Sequence, residues 1–137
     1  MYDIKIHPHK LYFKQPAGTS RGIYVTRDVW YLHLTSDMYP DRIGIGECAP
    51  LPKLSCDDIP DYESVLSRIC NRVAAEGTFS VEELREYPSI LFGLLSAIWK
   101  QGVLHFGIRL FHMEKLEFLL MVLSGWAITK KCLNRLK

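Results

Sequence analysis

The side chains that could take up protons, hold metals or attack carbon are thinly spread in this chain. Its five histidines are His7, His9, His33, His105 and His112. His7 and His9 flank Pro8, and in an extended segment they alternate to the same face, which offers either two imidazoles to a metal or a plain exposed strand face. The four cysteines, Cys48, Cys56, Cys70 and Cys132, form no C-x-x-C pair, and no basic stretch leads into an apolar one at the start of the chain. They read as small core residues of a cytoplasmic protein. No H-E-x-x-H, G-x-S-x-G, G-x-x-x-x-G-K or G-x-G-x-x-G occurs, so zinc hydrolysis, acyl transfer and nucleotide binding lack their usual supports. Asp57 and Asp58 beside Ser55 read as helix-start residues rather than as an acid and base pair.

Two irregular stretches carry the remaining chemistry. They are Pro16 to Gly22, within Q-P-A-G-T-S-R-G, and Gly46 to Ser55, within G-E-C-A-P-L-P-K-L-S. Each mixes Gly or Pro with a few polar groups, as binding loops on a rigid scaffold do. Arg21 and Lys14 offer cations to a carboxylate, Thr19 and Ser20 offer hydroxyls, and Ala49, Pro50 and Leu51 offer an apolar wall. The plain alternative is two connecting loops with an ordinary surface arginine.

The elements that must position these stretches are legible from periodicity. Ile4 and Ile6, then Leu11 and Phe13, alternate, as do Trp30, Leu32 and Leu34 beyond Val25 and Val29, so the first 47 residues read as strands. A third short strand, Ile43 to Glu47, follows the turn signals Asp37, Pro40 and Asp41. Thereafter the period becomes helical. Val65, Leu66, Ile69, Cys70 and Val73 share one face, with Gly77 just past the end. Ser80 and Glu83 have capping-box spacing and predict a short helix. Pro88 then opens a helix whose buried stripe is Ile90, Leu91, Leu94, Leu95 and Ile98. The expected architecture is α+β, a three-stranded antiparallel meander followed by a helical layer.

A chain of 137 residues, 48% apolar and 23% charged, is one globular domain with no room for a second. The nearly uncharged run from Phe118 to Thr129 is too short for a bilayer, which takes roughly 18 residues. No membrane span is expected. The net charge of +2 conceals a seam: residues 1–99 balance at −3 and residues 100–137 at +5, and all seven prolines lie at or before Pro88. The overall charge therefore gives no reason to expect a nucleic-acid partner.

The string G-I-G-E-C-A-P-L-P-K-L-S, Gly44 to Ser55, resembles the G-x-G-E-x-x-P-x-P-x-x-S stretch of the enolase superfamily, in its mandelate racemase and muconate-lactonizing branch. The string F-K-Q-P-A-G-T-S-R-G, Phe13 to Gly22, is similar to the active-site loop between the first two strands of o-succinylbenzoate synthases. The resemblance covers residues 1–97 and implies an enolase-like N-terminal capping domain. In that family the cap closes a (β/α)8-type barrel, and the barrel carries the lysines that move a proton and the acidic ligands of Mg²⁺. A barrel takes about 200 residues or more, and residues 98–137 hold no K-x-K. By this resemblance the chain carries no catalytic residue and no metal ligand. Its substrate-binding residues are Thr19, Ser20, Arg21, Ala49, Pro50 and Leu51, facing a small carboxylate. The barrel-facing surface of such a cap is apolar and would favour self-association. A dipeptide epimerase or N-acylamino acid racemase shares the second stretch and is the alternative within the superfamily.

Residues 98–137 do not resemble the family. Joining the last base of each codon to the first two of the next, from Trp99 onward and with permitted codon choices, yields a string containing I-P-I-N-G-L-I-W, similar to the family's linker and first barrel strand. The tail is therefore expected to be the out-of-frame product of a longer gene. The competing expectation is a small binding protein whose basic tail, Lys130, Lys131, Arg135 and Lys137, meets an anionic membrane or partner.

Overall fold

A computed structural model describes residues 1–20 and 22–101. Three strands form one antiparallel sheet in the order β1-β2-β3: β1 spans Tyr2–Thr19, β2 Gly22–Ser36 and β3 Gly44–Cys48. Two helices follow, α1 over Tyr62–Glu76 and α2 over Pro88–Lys100. The expected α+β meander with a helical layer is what forms. Residues 102–137, and with them His105, His112, Cys132, the Phe118 to Thr129 run and the basic tail, lie outside the described residues.

Alternation sets the register of the first hairpin. Ile4 pairs with Leu34 and Ile6 with Leu32. A one-residue slip would turn every one of these side chains to the other face. Leu32 and Leu34 are fully buried, and Trp30 meets the Tyr62 ring of α1 at 4.7 Å between centroids. In α1 the buried residues are Tyr62, Val65, Leu66, Ile69, Cys70 and Val73. Gly77 ends the helix in the left-handed conformation at φ 70°, its N–H donating to the Val73 carbonyl, as a residue without Cβ does most cheaply. Pro88 opens α2, where a missing N–H costs nothing.

The glycines of the G-I-G-E stretch set the distance between sheet and helix. A Cβ on Gly44 would land on the Ala97 carbonyl, one on Gly46 on the Gly93 carbonyl, and one on Gly93 on the Cys48 Sγ. Strand β3 and helix α2 therefore meet backbone to backbone.

Three expectations need correction. Cys56 is exposed rather than a core residue, while Cys48 and Cys70 are buried as expected. Pro16 to Gly22 is not an open loop: β1 runs to Thr19, and Ala17, Gly18 and Thr19 pair with Tyr24, Ile23 and Gly22. The irregularity lies earlier, where the register shifts between Tyr12 and Ala17, leaving residues 13–16 on β1 opposite Val25. Pro16 supplies no N–H to a ladder, and a bulge accommodates it. Likewise Ser80 and Glu83 do not start a helix, since residues 81–86 form turns. The Glu83 carboxylate pairs with Arg72 at 3.1 Å instead of reaching Ser80. The bonds that follow, Arg85 N–H to Glu82 O and Tyr87 N–H to Leu84 O, span three residues, and Pro88 disfavours helical backbone at Tyr87.

Helix α2 continues through Trp99 and Lys100, across the seam in charge, and the buried Gln101 follows it, its Nε2 donating to the Arg42 carbonyl at 3.3 Å. Among the described residues no helix is long and apolar enough to cross a membrane.

Candidate functional site

The two sequence stretches that promised chemistry are both held by β2, the first through Ala17, Gly18 and Thr19 in its ladder. Beyond Cys48, which pairs with Trp30, the chain leaves β3 and meets Pro50 and Pro52. Neither proline can donate to a ladder, so regular pairing with β2 stops there. Side chains of β2 take over the unpaired carbonyls: the Arg27 guanidinium donates to Ala49 O, and Tyr24 OH donates to Pro52 O at 2.7 Å.

The second stretch is then folded on itself. Leu51 N–H donates to the Ser55 Oγ at 2.8 Å, and Ser55 N–H returns to the Leu51 carbonyl at 2.9 Å. Lys53 sits at φ 60°, a left-handed position, with its N–H held by the Asp58 carboxylate at 2.7 Å. A non-glycine residue in that region costs about 1 kcal/mol or more and persists only where its surroundings fix it.

Of the six expected binding residues, Thr19 and Ser20 are exposed at the end of the hairpin, where the Thr19 hydroxyl donates to the Gly22 carbonyl at 3.1 Å. Arg21 lies outside the described residues. Ala49 and Leu51 are half-buried at the base of the second stretch, whereas Pro50 is buried. The histidine pair lies on a plain exposed strand face of β1, where the His7 ring meets His33 across the strands at 4.3 Å and His9 lies by Tyr31 at 6.2 Å. Among the described residues no group of three or more His, Cys, Asp or Glu is placed to hold a metal ion.

Asp57 is a structural acid. It is 1% exposed, and its Oδ2 accepts from Ser89 N–H at 2.8 Å and from Ser89 Oγ at 2.5 Å. Tyr62 OH lies 2.6 Å from the same Ser89 Oγ. Helix α2 gets no side-chain cap from its own N-cap residue, Tyr87, so Asp57 caps it from the end of the second stretch. The sequence placed Asp57 at a helix start, but the helix it serves begins 31 residues later. Arg27 and Tyr24 were missed, because they look like ordinary strand residues. The P-L-P spacing was the available signal, since it leaves strand-edge carbonyls in need of donors.

The interior beneath this stretch resists alkaline pH poorly. Burial pushes the Cys48 thiol and Tyr62 phenol well above their ordinary ranges, Cys48 further through Cys70 and Asp57, and burial alone pushes Cys70 up to about 12. The unfolded chain releases these protons at about 8.5 for thiols and about 10 for the phenol, while the folded chain keeps them, so stability falls as pH rises. Thermal melts should give a level Tm up to about pH 8.5 and a steady decline from about pH 9 to 11. A Tm that is flat or rises across that window contradicts this account of the interior.

The fold and the arrangement of the site define a class: an α+β capping domain whose hairpin arm and proline-broken segment are joined at one end of a meander. The family model for the N-terminal domain of MenC matches residues 3–101, and the chain belongs to that family, an enolase-superfamily capping domain. Over 66 residues it is 36% identical to the o-succinylbenzoate synthase of Desulfotalea psychrophila, a match covering 48% of this chain and 17% of that protein. The solved o-succinylbenzoate synthase of Thermosynechococcus elongatus BP-1, complexed with Mg in its active site, is 23% identical, with a TM-score of 0.48 over 75% of this chain and 30% of that one. The chain thus matches less than a third of the length of either relative.

Proposed function

We propose that this domain covers the substrate of an o-succinylbenzoate synthase-like enzyme, one that dehydrates 2-succinyl-6-hydroxy-2,4-cyclohexadiene-1-carboxylate to o-succinylbenzoate in menaquinone biosynthesis. The observation that carries the reading is that β2 holds both of the family's substrate-covering stretches, pairing with Ala17 to Thr19 in one and bonding through Arg27 to Ala49 O and Tyr24 to Pro52 O in the other. In the reaction the carbon next to the carboxylate loses a proton and the ring loses hydroxide, so water and an aromatic ring result. Such enzymes use Mg²⁺, but the described residues include no group that fits it.

The domain's part is binding and exclusion of water. Ser20, exposed at the hairpin end, and Arg21, next to it in sequence, supply a hydroxyl and a guanidinium to substrate carboxylate or carbonyl oxygens, a bidentate match in the case of arginine. Thr19 closes the turn that presents them, and Ala49 and Leu51 form the apolar side, with Pro50 buried behind them. The exposed Tyr12, Phe13, Ile23 and Val25 of the hairpin arm support a surface that packs against another body, either the barrel or a second copy of the chain. In this reading residues 98–137 are the out-of-frame product of a longer gene. Sequencing the DNA tests it, and a single intact frame whose codons cannot yield I-P-I-N-G-L-I-W sinks it.

The full chain with substrate and Mg²⁺ should show no turnover. Residues 1–101 exchanged for the corresponding segment of the Desulfotalea synthase should give an active chimaera, in which Arg21→Ala raises KM at least tenfold. Turnover by the chain alone, or a folded chimaera indifferent to Arg21→Ala, overturns the reading.

A further inference from the structure

We infer that Tyr24 and Arg27 are positioning residues that splice the Ala49 to Ser55 segment onto the hairpin arm, so that the two substrate-covering stretches yield and order as one body. The inference rests on the covering role proposed above and adds what couples its two parts. Both bonds leave one strand, β2, and end on one segment, at the carbonyls of Ala49 and Pro52. Tyr24 is also the register partner of Ala17 in the arm, and Arg27 that of Leu11, so the two side chains bracket the irregularity between Tyr12 and Ala17. They sit on the strand opposite the place where the arm is weakest.

On the other side, the segment has no ladder of its own to hold it. Pro50 and Pro52 supply no N–H, and among the described residues its internal bonds include those linking Leu51, Lys53, Leu54, Ser55 and Asp58. Its ties to the sheet beyond Cys48 are therefore side-chain ties, and the described ones are these two. Where two segments share such ties, loosening either must loosen the other by the same factor, because coupling between sites is reciprocal. The arm's end and the proline segment would then order together when a substrate meets either.

Hydrogen exchange on the full 137-residue chain tests this, with amides of Leu51, Lys53, Leu54 and Ser55 reporting on the segment and those of Ala17, Gly18 and Thr19 on the arm. Tyr24→Phe combined with Arg27→Met should raise exchange about tenfold in both sets and leave Ile69, Val73 and Leu94 unchanged. Arg27→Lys, which keeps a donor and the charge, should restore part of the protection. Ser55→Ala, which frees Leu51 N–H, should raise exchange in the arm when Tyr24 and Arg27 are present and have no effect there when they are replaced. A rise confined to one set overturns the inference. So does a rise that reaches the helices equally, since the two residues would then be general supports, and so does Ser55→Ala acting on the arm regardless of Tyr24 and Arg27. Exchange is read without substrate or barrel, so the coupling stands or falls separately from turnover by the chimaera.

Discussion

Gly46→Ala should lower the stability of the domain by about 3 kcal/mol or more, at the upper end of what overpacking usually costs. The added methyl would fall on the Gly93 carbonyl of α2, and beyond it on Gly93 C and Cα. These are backbone atoms, so no side chain can rotate away, and β3 must part from α2. Both strands and helix lose contacts when it does, and a small domain holds only about 5–15 kcal/mol in total. At about 4–8 °C per kcal/mol for a domain of this size, Tm should fall by at least about 12 °C. Gly18→Ala is the control, because nothing lies within 4 Å of its Cβ position and the change should be nearly neutral. Gly93→Ala meets the Cys48 Sγ instead, a side-chain atom, so Cys48→Ala should recover part of its cost. Equal melting temperatures for Gly46→Ala and Gly18→Ala would show that β3 and α2 are not in backbone contact.

This contact marks how far the sequence could be read. The spacing of Ile4, Ile6, Leu32 and Leu34 located the meander, and that of Val65, Leu66, Ile69 and Val73 located α1, because burial on one face leaves a period in the chain. Gly77 and Pro88 marked a helix end and a helix start through backbone chemistry that is local. Non-local demands left no such trace. Gly44 and Gly46 fell within the expected third strand, but nothing in the sequence showed that they are required by a helix roughly fifty residues away. The P-A-G-T-S-R-G stretch looked like an open loop because its glycines and proline are loop residues, while the pairing of Ala17 with Tyr24 depends on a bulge that absorbs Pro16. Ser80 and Glu83 had the spacing of a capping box, but Arg72 competes for the Glu83 carboxylate from α1. The six expected binding residues were offered by residue type and given their role by resemblance, whereas Tyr24 and Arg27, which tie the second stretch to the hairpin, look like ordinary strand residues until the chain is folded.

Asp57→Ala should cost the domain about 3 kcal/mol and loosen the proline segment from its base. The carboxylate is buried and receives two bonds from Ser89, the second residue of α2, one from its backbone N–H and one from its hydroxyl. Removing it leaves the Ser89 N–H without an acceptor in a site closed to water, which costs roughly 1–3 kcal/mol. That bond is the cap itself, and the favourable meeting of a negative charge with the helix N-terminus, worth up to about 2 kcal/mol where partly buried, is lost as well. Charge and hydrogen bonding separate in a second variant. Asp57→Asn keeps a carbonyl oxygen for Ser89, and its amide can occupy the place of Oδ1, which has no hydrogen-bond partner among the described residues. It should therefore cost about 1 kcal/mol, the share owed to charge at a helix end. Ser89→Ala should fall between the two, since it removes the hydroxyl bonds to Asp57 and Tyr62 but leaves the N–H bond in place. Chemical denaturation of the three variants gives the order directly. If Asp57→Asn is as damaging as Asp57→Ala, the charge rather than the hydrogen bonds holds α2 to the segment. If Asp57→Ala is nearly neutral, the buried acid does not cap α2 at all.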